Sequence, residues 1–366
     1  MPILGDCIAA GARARFLTQR KQVVLGRGEH AGVAARLTRP YPVARAATGH
    51  FEKEITMKQP FVQFGRWLAL AAVLLFGLVA GAGAVEPLVD VAWLKANLGK
   101  PGIAIVDIQE KDDYLAGHIP GAANTSFSKS GWREERADKV PDMLPAKLDK
   151  LVAHIGSLGV DNDTHVILVA PGESYNDMGW ATRIYWTFKV LGHDKVSILN
   201  GGMAAWAKDK SNPIEKGAAK VQAKTFVARP RPEMVATVED VRRAMEKGIV
   251  LVDNRPEDQY AGINRNPKAT QSGTLPGARN LPSGWTTENA KGTFRPKSQI
   301  EKLYQVANVP VSGEQINFCN TGHLASIGWF VSSEILGNKQ AKLYDGSMVE
   351  WTMTKAGPVE QKVKLD

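Results

Sequence analysis

Two stretches of this chain pass through the same landmarks in the same order, and a duplication of that kind confines the fold to two copies of one unit. Ile105-Val106-Asp107-Ile108-Gln109 is answered by Leu251-Val252-Asp253-Asn254-Arg255, each an apolar run carrying an Asp. Gly117-His118-Ile119-Pro120-Gly121-Ala122 is answered by Gly273-Thr274-Leu275-Pro276-Gly277-Ala278. Val166 to Ala170 is answered by Glu314 to Cys319, and a Trp stands ten residues further on in both, at Trp180 and Trp329. The unit closes with Leu199-Asn200-Gly201-Gly202-Met203-Ala204-Ala205-Trp206 in one copy and Tyr344-Asp345-Gly346-Ser347-Met348-Val349-Glu350-Trp351 in the other.

Within each copy, short β-branched runs (Ile103 to Val106, Val166 to Val169, Val196 to Leu199) alternate with helix-period stretches such as Val89 to Leu98 and Trp180 to Leu191. That alternation predicts an α/β fold of two tandem domains, each a mostly parallel sheet flanked by helices, with ligands at the carboxyl ends of the strands. Residues 86–210 form the first expected domain and 237–358 the second. Between them, residues 211–236 lie in a stretch rich in Lys and Pro without a helical period, and read as an extended linker. Thr237-Val238-Glu239-Asp240 opens the second copy with an N-cap pattern.

The chain of 366 residues is long enough for two such domains with their own cores. Residues 1–84 carry +7 of the net charge of +9, which leaves +2 on residues 85–366 and no argument for nucleic-acid binding. Residues 57–84 read as an export signal: Lys58 and Arg66, an apolar stretch from Trp67 to Ala80, then the cleavage triplet Ala82-Gly83-Ala84. The apolar stretch would extend only ~21 Å as a helix, short of a ~30 Å hydrocarbon core. Cleavage after Ala84, a periplasmic location and no stable membrane association thereafter are the expectations. Residues 1–56, rich in Arg, Ala and Gly and without a sustained hydrophobic period, are expected to be an unstructured, over-long gene start.

Cys319 is the candidate centre. Cys7 lies in the segment expected to be absent from the working protein, which then holds one thiol and no internal disulfide. Cys319 ends the apolar run Ile316-Asn317-Phe318 and opens the polar loop Asn320-Thr321-Gly322-His323-Leu324. Successive N–H groups of that loop, leading into a helix expected to begin near Ala325, would form an anion-binding nest backed by the helix dipole. A free thiol with pKa ~8.5 is only ~3% thiolate at pH 7, whereas a shift to ~6.5 makes it roughly three-quarters thiolate. Gly322 lets the loop curl without a Cβ penalty. An ungapped count back from the paired Trp residues places Ala170 where Cys319 stands, and the matched runs ending Asp107-Ile108-Gln109 and Asp253-Asn254-Arg255 place Gln109 where Arg255 stands, so the first copy lacks both reactive groups together. Asp253 is read as orienting the loop that carries Arg255.

These landmarks resemble the tandem-domain rhodaneses, the thiosulfate and 3-mercaptopyruvate sulfurtransferases. Tyr114 to Ala122 is similar to the family's N-terminal signature and Ala341 to Trp351 to its C-terminal one. Met348 stands where an aromatic is usual, and Thr274 replaces the His of the second copy. The resemblance implies an inactive first domain and a catalytic second one. It also implies a double displacement in which Cys319 takes a sulfane sulfur from a small anionic donor as a persulfide and hands it to a thiophilic acceptor. By the same resemblance Arg255 binds the donor's anionic end, with Asn320, Thr321, Gly322, His323 and Leu324 lining the substrate. No cofactor, no metal and a monomer are expected.

Loop length separates this reading from its neighbours. A phosphatase of the Cys-x5-Arg type needs an arginine six positions after the nucleophile, and position 325 is Ala. A cysteine hydrolase needs a separate His near the thiol, and His323 sits on the same tight loop. Asn320 and Thr321 are neutral, so His323 is either a partial positive charge beside the donor or an exposed loop residue. The rival from another class is a non-catalytic rhodanese-like module that binds a partner or senses redox state through Cys319. His118 and Trp180, Trp206, Trp329 and Trp351 are read as structural, and Trp285 as lining the cleft between domains.

Overall fold

Ten strands and ten α-helices alternate along residues 85–365, the part of the chain that the computed structural model describes; the expectations for residues 1–84 lie outside it. Strands β1 (Leu88–Val89), β2 (Ile103–Asp107), β3 (Ala123–Asn124), β4 (His165–Val169) and β5 (Val196–Leu199) form one sheet in the order β1-β5-β4-β2-β3. Strands β6 (Val235–Ala236), β7 (Val250–Asp253), β8 (Arg279–Asn280), β9 (Gln315–Phe318) and β10 (Ala341–Tyr344) form the second, in the equivalent order β6-β10-β9-β7-β8. Every neighbouring pair is parallel, as helical crossovers between sequential strands require.

The first copy carries helices α1 (Val91–Asn97), α2 (Lys111–Ala116), α3 (Asp149–Ser157), α4 (Tyr175–Val190) and α5 (Gly202–Lys208). The second carries α6 (Val238–Lys247), α7 (Glu257–Ala261), α8 (Lys297–Val306), α9 (His323–Phe330) and α10 (Ser347–Met353). Local chemistry sets several of their ends. Ser174 and Asp177 form a capping box at the start of α4, and Thr237 and Asp240 form one at the start of α6, which stops at left-handed Gly248.

Strand alternation decides which residues meet between the copies. Ile105, Ile167 and Val169 point to a core of the first copy alone, and Ile316 and Phe318 to a core of the second. Val106, Leu168, Ala170, Val252 and Cys319 belong to one apolar cluster shared by both copies, into which α4 and α9 are packed face to face. Thr182 of α4 and Ser326 of α9 are hydrogen-bonded across that contact at 2.8 Å. The alternation that places Phe318 in its own domain's core therefore turns Cys319 toward the other domain.

The stretch between the copies is extended but not loose. Lys224 N–H donates to Gly156 O at 2.9 Å, Arg229 N–H to Leu191 O at 2.8 Å and Arg231 N–H to Val190 O at 2.7 Å, which lays it along the first domain. Its last two residues, Val235 and Ala236, are β6 of the second sheet, a strand too short to leave a period in the sequence. At the other end, Glu360 pairs with Thr274 and Lys362 N–H reaches Ala261 O at 3.0 Å, so contacts of the second domain continue past residue 358.

Candidate active site

Parallel register brings the two candidate groups together. Asp253 of β7 lies beside Phe318 of β9, so both chains leave the sheet at the same level, one toward Arg255 and the other through Cys319. Asn254 N–H donates to Phe318 O at 2.9 Å and continues the pairing one step beyond the strands. Cys319 is 1% exposed.

The loop after Cys319 turns at Gly322, whose φ of +70° is open to glycine, and Gly322 then caps α9. The helix thus begins at His323, two residues before the expected Ala325, because the left-handed cap lets the chain enter the helix at once. Among the described residues nothing accepts from the N–H groups of Asn320, Thr321, His323 or Leu324, which leaves four unpaired amides around the turn. Cys319 N–H and Gly322 N–H instead converge on Ser347 Oγ, at 3.0 and 3.1 Å. Ser347 Oγ lies 4.0 Å from Cys319 Sγ and 2.8 Å from Tyr344 O, to which it donates. Ser347 is fully buried and held at φ +51°. Its counterpart in the first copy is Gly202, at φ +57°, and Met203 N–H bonds Ala170 O just as Met348 N–H bonds Cys319 O. Sequence reasoning missed Ser347 as part of the site, although the Gly202/Ser347 mismatch was visible within the closing motif.

Arg255 is fully occupied on one side. Its Nε donates to Asp253 Oδ1 at 2.9 Å, and its Nη2 donates to Asp253 Oδ2 at 2.5 Å and to Gly273 O at 2.8 Å. Gln109 reproduces this in the first copy: its Nε2 donates to Asp107 Oδ2 at 3.0 Å and to Gly117 O at 3.2 Å. What the arginine adds is a positive charge and Nη1, which has no acceptor among the described residues. The missing charge shows on the carboxylate: burial, with only Gln109 donating, pushes Asp107 up to about 6 from an ordinary 3.8.

His323 is neither exposed nor cationic at neutral pH. Its ring packs against Phe127 of the first domain at 5.4 Å and covers Gly179, where a Cβ would run into it. Nε2 lies 3.1 Å from both Asn176 O and Asn176 Oδ1, two acceptors that require the Nε2–H tautomer, and Nδ1 is buried without a partner. Burial pushes the imidazole down to about 4, so it is neutral at pH 7. The side chain of Asn320 is engaged with Gln259 Oε1 at 2.8 Å, and Leu324 O accepts from Ser283 at 2.9 Å. Thr321 is partly buried. Trp206, Trp329 and Trp351 are core residues, whereas Trp180 is half-buried and stacks on Phe127 at 6.3 Å.

A guanidinium from the first domain also reaches the loop. Arg183 of α4, 2% exposed, pairs with Asp345, and a Cβ on Gly322 would run into Arg183 Nη1. Asp345 also accepts from Leu144 N–H of the first domain at 2.7 Å.

Comparison with known proteins agrees with the duplicated fold. The family model for the rhodanese-like domain matches residues 90–209 and again 237–354. A protein of Mycobacterium bovis named "Putative thiosulfate sulfurtransferase 1" is 31% identical over 285 residues, covering 75% of this chain and 98% of its own. The "Sulfur carrier protein TtuD" of Thermus thermophilus is 28% identical, over 73% of this chain and 93% of its own. Among solved structures, SseA from Escherichia coli, reported as a 3-mercaptopyruvate sulfotransferase of rhodanese fold, superposes with a TM-score of 0.62. It is 28% identical and covers 72% of this chain and 99% of its own.

Proposed function

The chain belongs to the rhodanese-like domain family, and from that premise we propose that it is a sulfurtransferase working through a persulfide on Cys319. The Cys319 thiolate attacks the outer sulfur of an anionic donor. With thiosulfate, the new Sγ–S bond forms as the donor's S–S bond breaks and sulfite leaves with the bonding pair. With 3-mercaptopyruvate the C–S bond breaks instead, and the enolate left behind takes up a proton to give pyruvate. A thiophilic acceptor, cyanide or a thiolate, then attacks the outer sulfur, and Cys319 departs as the thiolate with which the cycle began.

The observation that carries this reading is the set of unpaired amides around the Gly322 turn, where an anionic sulfur at the end of β9 finds donors already in place. The first copy is the internal control. Ala170, Gln109 and Gly202 stand there for Cys319, Arg255 and Ser347, so all three features are missing together. Arg255 Nη1 is the group suited to the donor's sulfonate or carboxylate. Intact-mass measurement after treatment with thiosulfate or 3-mercaptopyruvate should show one added sulfur on the wild type, removable by cyanide, and none on Cys319→Ala. Undiminished turnover by Cys319→Ala would reject the proposal.

A further inference from the structure

One more difference between the copies spans their interface. Asp345 stands where the first copy has Asn200, and its partner Arg183, counted from Trp180, stands where the second copy has Ser332, counted from Trp329. The two acceptors occupy matching seats: Asp345 accepts from Leu144 N–H of the opposite domain at 2.7 Å, and Asn200 Oδ1 accepts from Phe294 N–H of its opposite domain at 2.8 Å. The seat is charged on the side of the thiol and neutral on the other. Burying an ion pair removes two charges from water and is often no better than an apolar contact, so stability alone gives little reason to keep one at this seat.

What the pair touches suggests its use. Nη2 of Arg183 takes the Asp345 carboxylate, while Nε and Nη1 are buried without partners, and the guanidinium lies over Trp186 at 4.7 Å. Nη1 and Asp345 both abut Gly322, whose N–H shares Ser347 Oγ with the N–H of Cys319. The loop has no cation of its own, since Asn320 and Thr321 are neutral and His323 is uncharged at pH 7. Of the other charged groups around it, Arg255 is paired with Asp253 and Arg133 of the first domain with Asp142, while Glu350 of α10 is paired with Arg136.

We propose that Arg183 is a positioning residue for Cys319: the domain without a thiol lends its guanidinium to the catalytic loop, fixing the Gly322 turn and favouring the anionic form of the sulfur. The proposal rests on Cys319 being the nucleophile, and it makes the first domain part of the active site. Asp345 has two effects of opposite sign, since it aims the guanidinium and also offsets its charge.

The test follows the pH dependence of Cys319 alkylation by iodoacetamide in the full chain, with the modified peptide identified by mass so that Cys7 does not interfere. Arg183→Met should raise the pH midpoint by about one unit, which is roughly tenfold less thiolate below the midpoint. Arg183→Lys should recover at least half of that shift. Asp345→Asn, which keeps an acceptor but removes the counter-charge, should move the midpoint down. A mere brace would move Arg183→Met and Asp345→Asn in the same direction or not at all, and that outcome overturns the proposal. Should Arg183→Met fail to fold by circular dichroism, the sign in Asp345→Asn decides: downward supports the proposal, upward or unchanged refutes it. Variant midpoints shifted as stated, in a protein whose wild type never gains a sulfur, would sink the sulfurtransferase reading and leave this one standing.

Discussion

At the scale of single residues, the duplicated chain supplies its own substitution experiment. Gln109 shows that glutamine can hold the inner aspartate and the carbonyl beyond it in the geometry Arg255 uses. Arg255→Gln should therefore fold, yet lose the charge and the free Nη1. Loss of a charge-assisted contact of this kind costs ~2–4 kcal/mol, or roughly 30- to 1,000-fold in donor-side kcat/KM, with later transfer to cyanide less affected. Stopped-flow loading rates would check it, and Arg255→Lys should recover only part of the loss because a point charge cannot reproduce the fork. The pairing of Arg255 with Gln109 was legible because both follow an apolar run and an Asp at the same spacing. His323 was not legible as a half-buried neutral ring, because Phe127, Gly179 and Asn176, which pack against it, lie 144 to 196 residues away in the other copy.

At the scale of elements, the junction of β10 and α10 matters as much as the loop it supports. Ser347 holds a left-handed conformation that glycine adopts freely, at a cost of ~1 kcal/mol, and its hydroxyl takes two buried N–H groups of the catalytic turn. Ser347→Ala keeps the strained backbone and orphans both donors, so urea unfolding should show a loss of ~2–4 kcal/mol. Ser347→Gly orphans the same donors but relieves the backbone, and should be about 1 kcal/mol more stable than the alanine variant. Both should slow sulfur loading alike, since both lose the hydroxyl. Equal stability of the two variants would mean that the strain at φ +51° is not real. The helices and strands themselves were readable from period and capping residues, as Thr237 and Asp240 illustrate. The start of α9 was not, because a left-handed glycine cap carries no periodic signal.

At the scale of the whole molecule, the two copies form a single working unit, because the face of the second sheet that bears Cys319 is the face covered by the first domain. Sequence alone gave the duplication and the order of elements, but not this partnership, since a contact between repeats leaves no trace in either repeat's own pattern. His323 makes the partnership pH-sensitive. Its folded pKa of about 4 lies below the ordinary 6.5, so between those values the native state binds fewer protons than the unfolded chain. Its contribution to stability is complete above about pH 6.5 and is lost as the pH falls toward 4. A fully enclosed ring would account for ~3 kcal/mol, but His323 keeps an accessible edge and ~1–2 kcal/mol is the reasonable figure. Asp107, raised to about 6 from 3.8, works in the opposite sense: its stabilisation is present below about pH 3.8 and is lost as the pH rises through 6. The two windows overlap, so the raw pH profile of the wild type mixes them, and only a difference against a variant isolates either. In His323→Gln, which can still donate to Asn176 O, the stability at pH 4.5 relative to that at pH 7, from urea unfolding, should be ~1–2 kcal/mol more favourable than the same difference in wild type. Parallel profiles for the two proteins would mean that protons reach the ring without parting the domains.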